Sequence, residues 1–178
     1  MHMVIRAVVL AANPNEALDK ARTAFEQLTE NQNPFDYFTM FDEEGSSVSG
    51  KGRYGAVKPC LRIATKAGKA MLDEGMAATK EYFLENLARI KAAITRYTPA
   101  ELFEEAPAVK PDQDALDLTL FKHYCYQVGK YGGGSIWLYD SDGSGIRSLR
   151  QLDNVLGNYG TPIPAGEEFY IVPADVHF

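Results

Sequence analysis

The run at residues 3–12 (MVIRAVVLAA) limits the fold more than any other feature. Broken only by Arg6, its apolar residues are near-continuous rather than spaced at three and four, and they are rich in β-branched side chains. Ten residues of that kind predict a strand buried in a sheet. A helix start follows at once. Asn13 suits the N-cap, Pro14 the first helical position and Glu16 the capping-box position. Leu18, Ala21, Phe25 and Leu28 then recur at spacings of three and four, which gives one apolar face. Residues 31–34 end that helix, and the aromatic run 35–41 (FDYFTMF) predicts a second strand. A chain that opens strand–helix–strand must lay that helix on a sheet.

Further along, residues 43–53 (EEGSSVSGKGR) predict an exposed Gly/Ser loop, and residues 54–63 either a short strand or an irregular segment. Residues 66–97 are helical in pattern, with Phe83, Leu87, Ile90, Ile94 and Tyr97 along one face. Gly68 and Gly75 weaken the early part and place the firm helix at 76–97. Thr98-Pro99-Ala100-Glu101 repeats the cap signature and opens a short helix through Phe103, and residues 106–111 are a connector. Residues 115–128 alternate like a strand at one end and recur like a helix at the other; their length favours a helix, stopped by Gly129 and followed by Gly132, Gly133 and Gly134. Residues 136–139 (IWLY) predict a strand, Asp140 to Gly143 a turn, and Leu149, Leu152, Val155 and Leu156 a short helix with Gly157 as its C-cap. Residues 168–172 (EFYIV) form a last strand, with its continuation past Pro173 left open. This order predicts an α+β fold: a ferredoxin-like, four-stranded, mostly antiparallel sheet with helices on one face. It reads as a single domain over residues 3–178, with a helical insertion at about 66–128.

Composition excludes several classes. Of 178 residues, 46% are hydrophobic and 24% charged, as in a soluble globular domain and unlike collagen, a disulfide scaffold or a disordered chain. No apolar run approaches the roughly 18 residues of a membrane span. Cys60 and Cys125 suit a reducing cytoplasm, where neither needs a disulfide. Two cysteines and three histidines give no zinc-site spacing, so no metal and no cofactor is expected. Met1-His2-Met3 reads as a cloning scar ahead of the native start, with no signal peptide.

Charge is unevenly distributed. Eighteen Lys and Arg against 24 Asp and Glu give a net charge of −6, which disfavours nucleic acid as a partner of the whole molecule. Yet residues 46–72 contain no acid. They carry Lys51, Arg53, Lys58, Arg62, Lys66 and Lys69, a local charge of +6 that leaves −12 elsewhere. Glycines at 50 and 52 let backbone amides approach an anion, Arg53 offers bidentate geometry, and Lys51, Lys58 and Arg62 add charge. Those four cations are the candidate anion-binding set, for a phosphate-bearing small molecule in a loop that is not a Walker loop. The alternative is a solvated loop that offsets the acidic helices.

The opening strand, the helix NPNEALDKARTAF, the aromatic FDYF and the following GKGRYG resemble a group of uncharacterised phage-type proteins. In that group a similar strand–helix–strand leads to a G-G-R-W-like motif, and the chain closes on a strand, a D-G turn and a last strand. Here Gly50, Gly52, Arg53 and Tyr54 stand in the motif's place with Lys51 between them, and IWLYDSDG and EFYIVPADVHF hold the closing positions. The resemblance implies an accessory protein of viral or mobile-element origin and assigns no chemistry.

Other candidates carry two readings each. Asp140, Asp142 and Ser144 match the start of a calcium loop, but position 12 is Gln151 and Arg147 lies inside it; an Asx turn explains the same residues. His123 and Cys125 are two apart and share no helix face. The strand aromatics read as core rather than a base-stacking platform. No catalytic residues are assigned. The leading expectation is a binding protein with an anionic small molecule or host protein as partner. A second is an interaction module or inhibitor using the acidic helical surface of Asp73, Glu74, Glu81 and Glu85. A third is a hydrolase of phosphorylated substrates with His123 or His177 as base. A homodimer through a sheet edge or the long helix is also expected.

Overall fold

The computed structural model describes residues 1–30, 34–105, 116–130, 134–158 and 162–177. The expected ends and connectors at 31–33, 106–115, 132–133 and 178 lie outside them. Residues Met1–Thr79 and Tyr131–Phe178 gather into one compact unit, and Lys80–Lys130 into a second.

The first unit is built on strand β1 (His2–Ala11), which includes the histidine expected to be a scar. It pairs antiparallel along its whole length with a C-terminal strand at Glu168–His177, from His2 opposite His177 to Ala11 opposite Glu168. Helix α1 (Pro14–Thr29) follows with the expected cap: the Asn13 side chain accepts from the Asn15 and Glu16 amides, and Glu16 accepts from the Ala12 amide. Ala17, Ala21, Ala24, Phe25 and Leu28 are its buried face. Strand β2 (Tyr37–Met40), the one-turn helix α2 (Lys51–Tyr54), strand β3 (Leu61–Arg62) and the long helix α3 (Lys66–Arg96) come next.

The sheet has five strands, not the expected four; it is mostly antiparallel as expected, with β1 paired in parallel on one side. With β4 (Leu138–Tyr139) and β5 (Glu168–His177) named, the order is β2-β5-β1-β4, and β3 shares the β2 side of β5. β4 runs parallel to β1, pairing Arg6 with Leu138 and Ala7 with Tyr139. Pro173 sits inside the central strand β5, a place where the missing amide would normally break a ladder. Here β3 ends its pairing at Ile171 and β2 begins at Ala174, so the proline lies in the gap between them.

Both faces of this sheet are covered, where helices on one face were expected. Ile5, Ala7 and Val9 point with Val172 and Ala174 into a core closed by Ala17, Ala21 and Phe25 of α1. Because strand side chains alternate, Val8, Leu138 and Ile171 face the other way. They pack with Leu72 of α3, Ile146, and Leu152 of α7 (Leu149–Asp153). α3 begins ten residues before the expected Met76, and its glycines explain why. A Cβ on Gly75 would lie 2.8 Å from Leu138, and one on Gly68 2.0 Å from the Arg62 carbonyl oxygen. These are close approaches to the sheet and the preceding turn, which outweigh the weak helix propensity of glycine.

The second unit is helical. Beyond the later turns of α3 it holds α4 (Pro99–Glu104), α5 (Leu116–Thr119) and α6 (Phe121–Gly129). Thr98 and Glu101 complete the expected capping box of α4. The single helix expected up to 128 is two, with Leu120 as the N-cap of α6. Lys122 donates to the Phe103 carbonyl oxygen at 3.0 Å and pairs with Glu105. Asn86, Ala93 and Leu118 are buried in this unit, whereas Phe83 and Ile94 of the expected apolar face are exposed. Among the described residues, no helix is long and apolar enough to cross a membrane.

Candidate functional site

The basic segment forms a closed turn rather than an open cradle. The Gly50 amide donates to Asp175 Oδ2 at 2.9 Å, so the segment's glycine amide is taken by the protein's own buried carboxylate. A Cβ on Gly52 would lie 1.9 Å from the Ser46 carbonyl oxygen, which makes this glycine a packing requirement of the turn. Of the four candidate cations, Arg62 pairs with Glu168 at 2.8 Å, and Glu168 also accepts from the Tyr170 hydroxyl. Arg53 lies over the ring of Tyr54 at 5.7 Å. Lys51 is half-buried and Lys58 exposed, and neither has a carboxylate partner among the described residues.

Asp175 also anchors the start of β1, with His2 Nδ1 3.0 Å from Oδ1. The His177 ring stacks on Tyr37, with centroids 5.0 Å apart, and its Nδ1 lies 2.9 Å from Asp36. Thus the histidines at the two chain ends join three strands. His123 belongs to the other unit, where it is exposed on α6. Burial pushes the Cys60 thiol up to about 11, so it stays protonated at neutral pH. Cys125 is exposed, and both cysteines are free thiols. In the acidic set, Glu74 is bound by Arg6 at 3.3 Å. Burial is the larger influence on that arginine and lowers its pKa against the pull of Glu74.

The Asp140 carboxylate forms an Asx turn: Oδ1 accepts from the Asp142 amide at 3.0 Å and the Ser144 amide at 2.8 Å. That turn borders a cleft that no motif announced. Beside the far end of β1 lies a cavity of about 380 Å³, walled by Val8, Leu10, Val155, Ile163 and Phe169 among others. A second cavity of about 390 Å³ adjoins it, sharing Leu10 and Ser141 and adding Lys20, Thr23, Asp142 and Glu167. The wall is local chemistry. Gly157, at φ +98°, turns the chain after α7, and Pro162, Ile163 and Pro164 then stand as the exposed outer rim. Ile163 is 46% exposed, an apolar side chain left in water at the mouth of an apolar hollow.

At the polar end, Lys20 is already committed. Its ammonium donates to the Leu10 carbonyl oxygen at 2.7 Å and pairs with Glu16 at 2.7 Å. The hydrogen bonds from Lys20 and the Ala12 amide hold the Glu16 carboxyl below its usual range. The side chains of Asp142 and Glu167 have no such partner among the described residues. Sequence reasoning singled out Asp142 only as a turn or calcium residue, and gave Glu167 no role.

The mixed sheet, the two covered faces and this cleft define an α+β domain with a ligand-sized hollow beside its central strands. Over residues 1–178 the chain matches a family described as a domain of unknown function (DUF7995), and it belongs to that family. No curated protein and no solved structure matches it.

Proposed function

We propose that this protein is an accessory binding protein for a small, largely apolar ligand held beside β1 and β5. The observation that carries this reading is the cavity of about 380 Å³ with an exposed isoleucine and two prolines at its rim. Its volume falls in the range of ligand sites, roughly 300–1,000 Å³. An exposed apolar rim continuous with an apolar interior gains from occupancy at about 25 cal/mol per Å² removed from water. Val155 is the side chain to change, because it is half-buried and lines the hollow. Wild-type protein is expected to bind the neutral dye Nile red saturably, read by fluorescence. Val155→Trp, which fills the space, is expected to weaken that binding at least about tenfold, a change of about 1.4 kcal/mol, with the circular dichroism spectrum retained. An unchanged titration in a folded variant would remove the proposal.

A second reading is supported by the free cations of the basic segment. Lys51, Arg53 and Lys58 have no carboxylate partner among the described residues, which favours an outer surface for an anionic partner. Such contacts are side-chain charge alone, since the Gly50 amide is spent, and they weaken with salt. Arg53→Glu combined with Lys58→Glu is expected to abolish retention on a heparin resin at low ionic strength. Equal retention of the double variant and the wild type would show that the segment is only solvated charge.

A further inference from the structure

The polar end of the cleft specifies the charge of what enters it, an inference that rests on the ligand-site reading above. We infer that the ligand is a small amphipathic cation: an apolar body in the hollow of Val8, Val155, Ile163 and Phe169, and a protonated amine at Asp142 and Glu167. The argument is one of charge complementarity. One basic and two acidic side chains line the adjoining cavity: Lys20, Asp142 and Glu167. Lys20 is neutralised by Glu16 and spends a further hydrogen bond on the Leu10 carbonyl oxygen. Asp142 donates its backbone amide to Asp140 and the Glu167 amide donates to the Pro164 carbonyl oxygen, but neither carboxylate has a partner among the described residues. Two carboxylates with no donor among the described residues therefore stand beside an apolar hollow, Glu167 half-buried and Asp142 exposed. An ammonium group supplies what both lack, donating hydrogen bonds to ionised acceptors. A carboxylate or phosphate head would instead meet two like charges.

Three matched probes test the inference: 3-phenylpropylammonium, 3-phenylpropan-1-ol and 3-phenylpropanoate, each titrated into the full chain and followed by amide chemical shifts. The ammonium probe is expected to bind about tenfold more tightly than the alcohol, with the carboxylate probe weakest. The preference should shrink as salt is raised. In Asp142→Asn with Glu167→Gln, ammonium and alcohol are expected to bind alike. Equal binding of ammonium and alcohol to the wild type, or a preference that survives in the double variant, overturns the cationic class while leaving the apolar site intact. Tightest binding of the carboxylate would overturn it in favour of Lys20 as the selecting group. Failure of all three probes to shift the residues lining the hollow would overturn the ligand-site reading itself.

Discussion

Ile171→Asp is expected to abolish cooperative folding, and Val172→Asp to do the same. These neighbours lie on opposite faces of β5, and both are fully buried. Burying an unpaired carboxylate costs several kcal/mol even after the group protonates or the site relaxes. A domain holds only about 5–15 kcal/mol in total. The pair therefore tests whether both sheet faces are closed, since a sheet open on one side would tolerate one of the two substitutions. Leu149→Asp is the control: that leucine is 67% exposed on α7, and its loss should shift stability by no more than about 0.5 kcal/mol. Urea denaturation followed by circular dichroism reads all three. A wild-type midpoint for Ile171→Asp would mean that α3 and α7 do not seal that face.

The parts of this fold that local chemistry dictates were legible in the chain. Asn13, Pro14 and Glu16 announce the start of α1, and Thr98 with Glu101 that of α4, because a capping box needs only residues three apart. The buried character of β1 was equally plain. Its two covered faces were not, because a near-continuous apolar run fits any strand shielded by something and does not say by what. Whether β4 lies parallel or antiparallel to β1 depends on the path of more than a hundred intervening residues, and no dipeptide encodes it. Gly68 and Gly75 misled in an instructive way: propensity counts them against a helix, whereas the structure uses them where α3 touches the Arg62 carbonyl and Leu138.

The candidate sites divide along the same line. The cations of residues 46–72 are visible as composition, but the groups that engage them are remote. Asp175, which takes the Gly50 amide, is 125 residues away. The cleft draws on residues 8–10, 20–23, 141–142, 154–157 and 162–169, each ordinary in its own stretch. Nothing about Val155 or Ile163 signals a wall until the chain is folded. The adjacent acids at 167 and 168 have different fates: Glu168 binds Arg62, while the Glu167 carboxylate has no partner among the described residues.

Asp175→Ala is expected to destabilise the first unit by about 3 kcal/mol, because a buried acceptor serving two elements is lost. The carboxylate is 1% exposed; its Oδ2 accepts from the Gly50 amide, and His2 Nδ1 of β1 lies within reach of both oxygens, nearer Oδ1. Alanine leaves the Gly50 amide buried with no acceptor. Asparagine keeps one oxygen for that amide and should forfeit only about half as much. His2→Ala removes the second contact together with the ring contacts of His2 to Tyr37 and His177, leaves Asp175 bonded to Gly50, and should lose about 1 kcal/mol. Residues sharing one network are not additive, so the His2→Ala and Asp175→Ala losses should sum to more than the double variant shows. Hydrogen exchange separates this network from general loosening. In Asp175→Ala the Gly50 amide should exchange much faster than the amides of β1 and β5 that pair around Val8 and Ile171, far from the broken contact. If Gly50 and those strand amides accelerate together, Asp175 supports the sheet as a whole and is not the clasp that holds the basic turn against it.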